Sequence, residues 1–168
     1  AVPSGNSVTA QNLLRLHDLS GNEAWRQQAE RLFAVLSLRV TRAPTGFPLL
    51  LTALDRYYDL PLEIAIVMPG SRREAGPLAE PLRTSFVPNK AFAVLTEREA
   101  SRQARQVPWL EAKRSIGGQP TAYVCERGRC ELPTSKPAVF RKQVQRVKRY
   151  PSFEKSPPPR LPFDGTNR

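Results

Sequence analysis

The sequence is poor in the residues that most catalytic and metal sites need. It holds two cysteines, Cys125 and Cys130, one histidine, His17, and one methionine. A structural zinc ion takes four ligands, and His17 lies about a hundred residues upstream of the cysteines, so no metal site and no cofactor are expected. Thioredoxin-type dithiol chemistry needs a low-pKa cysteine at a helix start, usually Cys-x-x-Cys. The stretch Met68-Pro-Gly-Ser-Arg-Arg73, where a first strand should hand over to a helix, has none. There is no Ser-His-Asp spacing, no phosphate-binding glycine loop and no dinucleotide fingerprint. No carboxylate pair is spaced for glycosidase work. No apolar run approaches the ~18 residues of a membrane helix, and the start lacks the basic and apolar regions of a signal peptide. A cytoplasmic protein without a membrane span is expected. The chain begins Ala1-Val2-Pro3, without an initiator Met, so a processed chain or the C-terminal piece of something longer is expected.

Acidic residues are also scarce: 15 against 26 Lys and Arg, a net charge of +11. The excess is uneven. Residues 134–168 carry nine basic and two acidic side chains, whereas residues 1–60 carry six and five. Such a patch, over residues 136–160, attracts nucleic acid or an acidic partner through long-range electrostatics. Few aromatic side chains interleave with those charges as a base-stacking surface requires, so a solvated basic helix with a disordered tail competes with that reading. Many of the 17 prolines lie in this tail and in loops.

What is present organises into three parts. In residues 1–60, apolar residues recur at helical spacing: Leu13, Leu14 and Leu16, then Trp25, Ala29, Phe33, Leu36 and Val40, then Leu50, Leu51 and Leu54. Three helices joined by short turns, read as antiparallel neighbours, are predicted. In residues 61–149 the pattern changes. Leu62–Met68 is a short β-branched run ended by Pro69-Gly70, as in a buried strand. A helix over Glu74–Phe86 and a second buried strand over Ala91–Leu95 follow. Thr96 and Glu99 form a capping box for a helix to about Gln106, and Val107–Leu110 should pack a loop back onto the sheet. Gly117-Gly118 makes a turn before a strand over Thr121–Cys125. Arg127-Gly128 is a two-residue hairpin loop, and the chain returns over Arg129–Leu132. A last helix is predicted over Lys136–Arg149, with Phe140, Val144 and Val147 as its apolar stripe. The order βαβαββα resembles a thioredoxin-like subdomain, with Pro120 where such folds place a proline before the third strand. Residues 150–168 lack the apolar surface to fold alone. The fold class is therefore α+β, or mixed.

Two groups of residues could carry chemistry. The Arg127-Gly128 loop sets Glu126 opposite Arg129 and Cys125 opposite Cys130. The cysteines then form either a cross-strand disulfide, open to reduction, or two small buried thiols of a reducing compartment. Ser4, Asn6 and Ser7 stand at a helix start, where unpaired N–H groups suit a ligand's hydroxyls or anion, or where they simply cap the helix. Asp18, Asp55 and Asp59 are the nearest helical carboxylates, and a solvated face is the default for Asp55. His17, near a helix end, fits a surface or capping role better than that of a ligand or base.

Several motifs carry a family resemblance. They are Pro3-Ser-Gly-Asn-Ser7 with Asn12-Leu-Leu-Arg-Leu16, Ala53-Leu-Asp55, Pro88-Asn-Lys90, and above all Gly118-Gln-Pro-Thr-Ala-Tyr-Val-Cys125 with Cys130 and Pro133. Over residues 1–147 the chain resembles the last part of the thioredoxin-domain proteins related to spermatogenesis-associated thioredoxin-like protein. That family combines an N-terminal thioredoxin-like domain with a six-hairpin α/α toroid of glycosidase or sugar-epimerase type. The resemblance implies that residues 1–60 are a remnant of the toroid. Ser4, Asn6 and Ser7 then belong to the wall of a carbohydrate-type cavity. The implied partners are the rest of the toroid and the thioredoxin-like domain, and a carbohydrate ligand. Three helices are about a quarter of twelve, so the implied chain is not catalytic alone.

Overall fold

The computed structural model describes residues 4–59, 61–126 and 128–145. The basic tail and Val147 lie outside them. The chain divides near residue 60 into a helical unit and an α/β unit.

In the helical unit, α1 spans Gly5–Ser20, α2 Glu23–Arg42 and α3 Pro48–Tyr58. Local chemistry sets the boundaries. The Ser4 hydroxyl accepts the Ser7 N–H, and the Asn22 side chain accepts the N–H of Ala24. Gly21, at φ 67°, closes α1 in the left-handed conformation that glycine adopts most easily, and its N–H bonds the His17 carbonyl. Pro48 opens α3, where no N–H is needed. The helical periodicity collects Ala10, Leu13, Leu14, Ala29, Phe33, Leu36, Val40, Leu50 and Ala53 into one buried core. Tyr57 seals it: its ring meets Phe33 edge-on at 5.7 Å, Arg26 lies 4.3 Å over it, and its hydroxyl donates to Glu30 at 2.7 Å. Burial, and next the Glu30 bond, raise the Tyr57 pKa.

The α/β unit is built on a mixed sheet of order β2-β1-β3-β4, with β1 at Leu62–Met68, β2 at Lys90–Thr96, β3 at Thr121–Glu126 and β4 at Arg129–Cys130. Strands β1 and β2 are parallel, from Leu62 opposite Lys90 to Met68 opposite Thr96. Strand β3 runs antiparallel to β1, and β4 antiparallel to β3. The two-residue side-chain period gives the sheet two apolar faces. Ile64, Ile66, Met68, Ala122 and Val124 cluster with Leu78 of α4 (Gly76–Thr84) and with Phe140 and Val144 of α6 (Pro137–Val144). Ala65, Val67, Leu95 and Tyr123 cluster with Ala100 of α5 (Glu97–Gln103) and with Leu110. The expected packing of the Val107–Leu110 loop is thus present. So is the Thr96–Glu99 capping box. Arg72 adds two bonds to the Glu99 carboxylate, at 2.8 and 3.0 Å. Those bonds, and next the Thr96 N–H, hold the Glu99 pKa down at about 2.

Several expectations need correction. Strand β2 was expected to be buried. It is an edge of the sheet, and Phe92 is 54% exposed. Ala91 and Leu95 are buried on one face, and on the other Val94 packs against the core while Phe92 faces solvent. The helix expected over Glu74–Phe86 is a 3₁₀ turn, Arg72–Ala75, followed by α4. Pro77 suits the first turn of α4, the helix ends where Ser85 turns extended, and Phe86 beyond it is 91% exposed. Helix α5 stops at Gln103 rather than Gln106, and β4 ends at Cys130 rather than Leu132. Helix α6 begins at Pro137 because Lys136 precedes a proline and stays extended. It ends at Val144, and the remainder of the expected helix lies outside the described residues.

Candidate functional site

The start of α1 places two of its three candidate residues on each other. Ser4 Oγ and Ser7 Oγ are 2.8 Å apart, and Ser7 is buried. Asn6 is exposed and lies outside that pair. Ser4 therefore caps the helix, and of the three only Ser7 is buried, while Ser4 and Asn6 are exposed.

The far end of α1 holds a charge cluster that sequence reading missed. Asp18 Oδ2 accepts Arg56 Nη2 at 2.6 Å and Nε at 2.7 Å, with both side chains under a tenth exposed. His17 Nδ1 lies 3.3 Å from Asp18 Oδ1, and its Nε2 lies 3.1 Å from Glu23 Oε1. The pair spans 38 positions, so local spacing carries no trace of it. Asp55 is exposed and Asp59 half-buried. The cluster ties α1 to α3. No group of three His, Cys, Asp or Glu among the described residues could hold a metal ion.

The hairpin has the register expected from its loop: Cys125 faces Cys130 and Glu126 faces Arg129. Arg127 lies outside the described residues, and Gly128 takes φ 73°. Of the two alternatives for the cysteines, the structure shows the bond, with Sγ–Sγ at 2.05 Å and Cα–Cα at 3.9 Å. Because β3 pairs with β1 and β1 with β2, the cysteines continue a row that crosses the whole sheet: Ala91, Glu63, Cys125, Cys130. Lys113 Nζ lies 3.2 Å from Cys130 Sγ and 5.0 Å from the Tyr123 ring centroid.

The loop carrying Lys113 is clamped. The Tyr123 hydroxyl donates to the Arg114 carbonyl at 2.7 Å. Glu97 accepts the Ser115 N–H at 2.9 Å and its hydroxyl at 2.6 Å. The Ile116 N–H reaches Thr121 Oγ1 at 2.9 Å. The Ser115 bonds hold the Glu97 carboxyl below its usual range. Burial pushes the Lys113 pKa down, against an opposing pull from Glu63. Sequence reading had no reason to single out Lys113, because a lone lysine in a loop looks like any solvated cation.

An open groove of about 450 Å³ lies where α6 meets the segment after β4, lined by Leu132, Thr134, Val139 and Gln143 among others. Leu132 is 85% exposed at its rim. Gln143 donates through Nε2 to the Leu132 carbonyl at 2.8 Å, and its Oε1 is buried without a partner. None of Ser4, Asn6, Ser7, Cys125 and Cys130 lines it, whereas Lys142, from the basic stretch expected to attract an acidic partner, does.

Human spermatogenesis-associated protein 20 is 33% identical over 142 residues, which is 84% of this chain and 18% of the human protein. The chain is homologous to part of that protein. The rat and mouse proteins of the same name are 31% and 30% identical over the same coverage. These homologues fit the spermatogenesis-associated family. The chain spans 18% of the length of each of these relatives. No family model matches it, and no solved structure matches it. No helix among the described residues is long and apolar enough to cross a membrane.

Proposed function

We propose that this chain is a part of a larger spermatogenesis-associated-type protein, supplying helices to a six-hairpin toroid and a terminal thioredoxin-like unit, and that it carries out no carbohydrate catalysis on its own. The observation that carries this reading is the outward face of α2. Val35 is 79% exposed and Leu38 59%. Ala34, beside Val35, is exposed as well. Isolated exposed apolar residues are ordinary, but two large ones a helical turn apart mark a face that another element covers. Relatives more than four times as long supply the chain for that cover. The thioredoxin-like reading of the α/β unit draws support from its sheet order, with β1 and β2 parallel and β3 and β4 antiparallel to β1 and β3 in turn, and from helices on both faces. The scaffold comes without the reaction, since β1 ends in Pro69-Gly70-Ser71 rather than in a cysteine at a helix start.

In this reading the start of α1 belongs to the wall of a carbohydrate-type cavity. Asn6 makes the contact with sugar hydroxyls, while Ser4 and Ser7 shape the backbone beneath it. Titration calorimetry with a panel of mono- and disaccharides tests the reading on this chain and on a full-length relative. The expected result is binding by the full-length protein, and neither binding nor turnover by this chain. Tight binding with turnover by the chain alone, or no binding by the full-length protein, overturns it.

A further inference from the structure

The two sulfurs of the Cys125–Cys130 pair have different surroundings. Cys125 sits in β3, between β1 and β4, and is 3% exposed. Cys130 sits on the outermost strand and is exposed. Both belong to the sheet face that also carries Glu63 and Tyr123. Strand alternation puts Glu126, Arg129 and Glu131 on the opposite face. Glu111 and Arg114, in the loop around Lys113, are exposed. Charged groups on the cysteine face among the described residues include the Lys113 ammonium and the Glu63 carboxylate, and Glu97 at the start of α5 holds Ser115, two residues from Lys113. The ammonium stands 3.2 Å from the sulfur of Cys130. Glu63 is the cross-strand partner of Cys125, one strand further in. A cation beside a thiol favours the thiolate, whereas burial and a neighbouring carboxylate disfavour it.

From this asymmetry we infer that the pair is a thiol–disulfide exchange site in which Cys130 is the nucleophile, Cys125 the resolving thiol, and Lys113 the group that holds the Cys130 thiolate. The co-substrate is a small-molecule or peptide disulfide. In the reduced protein, the Cys130 thiolate attacks one sulfur of that disulfide. A Cys130–S–S–R bond forms, the R–S–S–R bond breaks, and the departing RS⁻ takes the electron pair and the proton that Cys130 gave up. Cys125 then attacks Cys130 Sγ, and a second RS⁻ leaves with the Cys125 proton. The protein dithiol is oxidised by two electrons, and one external disulfide becomes two thiols. The clamps on Arg114 and Ser115 fix Lys113 before either step, so the thiolate is met by a positioned charge. Partial burial lowers the Lys113 pKa, and the Glu63 carboxylate opposes that shift.

The test uses the whole chain, reduced and freed of reductant, with glutathione disulfide as the probe and intact mass as the readout. The Cys125→Ser variant should accumulate one glutathione on Cys130, and Cys130→Ser should take up little. The unsubstituted chain should return to its internal disulfide, releasing two glutathione molecules. In the unsubstituted reduced chain, sub-stoichiometric iodoacetamide should label Cys130 ahead of Cys125, which checks the assignment without a substitution. In Cys125→Ser, the alkylation rate should show a pH midpoint below the ~8.5 of a free thiol. Adding Lys113→Met should raise that midpoint and slow alkylation at pH 7 several-fold, while Lys113→Arg should leave both near their starting values. Equal labelling of the two cysteines, or a midpoint at ~8.5 that Lys113→Met does not move, overturns the inference.

Discussion

Replacing Arg56 with Met should destabilise the helical unit by about 3–5 kcal/mol, the usual cost of leaving one member of a buried ion pair behind. The Arg56 and Asp18 side chains are both under a tenth exposed, and Nε and Nη2 of Arg56 both land on Oδ2 of Asp18. Without the guanidinium, that oxygen keeps its desolvation penalty and loses its counter-charge. His17 reaches only the other oxygen, at 3.3 Å. The double variant Asp18→Leu/Arg56→Met should recover most of the loss, because it removes the buried charge as well as its partner. Urea unfolding followed by Trp25 fluorescence, in a Trp109→Phe background, reads the helical unit specifically. A single-variant cost under about 1 kcal/mol would mean that the pair behaves as a solvent-screened surface contact.

Phe140→Ala should weaken the α/β unit by about 3–5 kcal/mol, through lost burial and the cavity left behind. The ring is fully buried in the cluster that joins β1, β3 and α4. Against a typical domain stability of about 5–15 kcal/mol, such a loss removes much of the margin. The polar ties between α6 and α4, Arg141 to Glu80 and to Thr84, are partly solvated and replace little of it. Phe140→Leu should cost clearly less, because it fills more of the space. Loss of Trp109 near-ultraviolet dichroism at lower urea than for the unsubstituted chain is the expected readout. An unchanged urea midpoint would place α6 outside the core.

Elements whose limits are set by local chemistry were legible in the sequence. Leu62–Met68 is a β-branched run stopped by Pro-Gly, and it is a strand over those residues. A two-residue Arg-Gly loop admits one register, so the facing of Cys125 and Cys130 followed from it. The Thr96–Glu99 box depends on neighbours three apart and was readable in the same way. Features set by tertiary neighbours were not. Ala91–Leu95 looks the same in the middle of a sheet as at its edge, and only the strand order reveals that Phe92 faces solvent. The prolines at 77 and 137 set helix starts in ways that an apolar period alone does not show. Asp18 and Arg56 meet across 38 positions, and Lys113 meets Cys130 across 17. Such pairs become visible only once the strands and helices are in place.

The central claim is that this chain is one portion of a larger fold, completed over the exposed face of α2. The most direct test mixes it with the human relative from which the matched 142 residues have been removed. The relative's own matched segment serves as the control that must bind. Size-exclusion chromatography with light scattering then reads the stoichiometry. The account predicts a one-to-one complex that Val35→Glu/Leu38→Glu abolishes. Separate elution of the two chains while the control binds, or a complex indifferent to both charges, would contradict it.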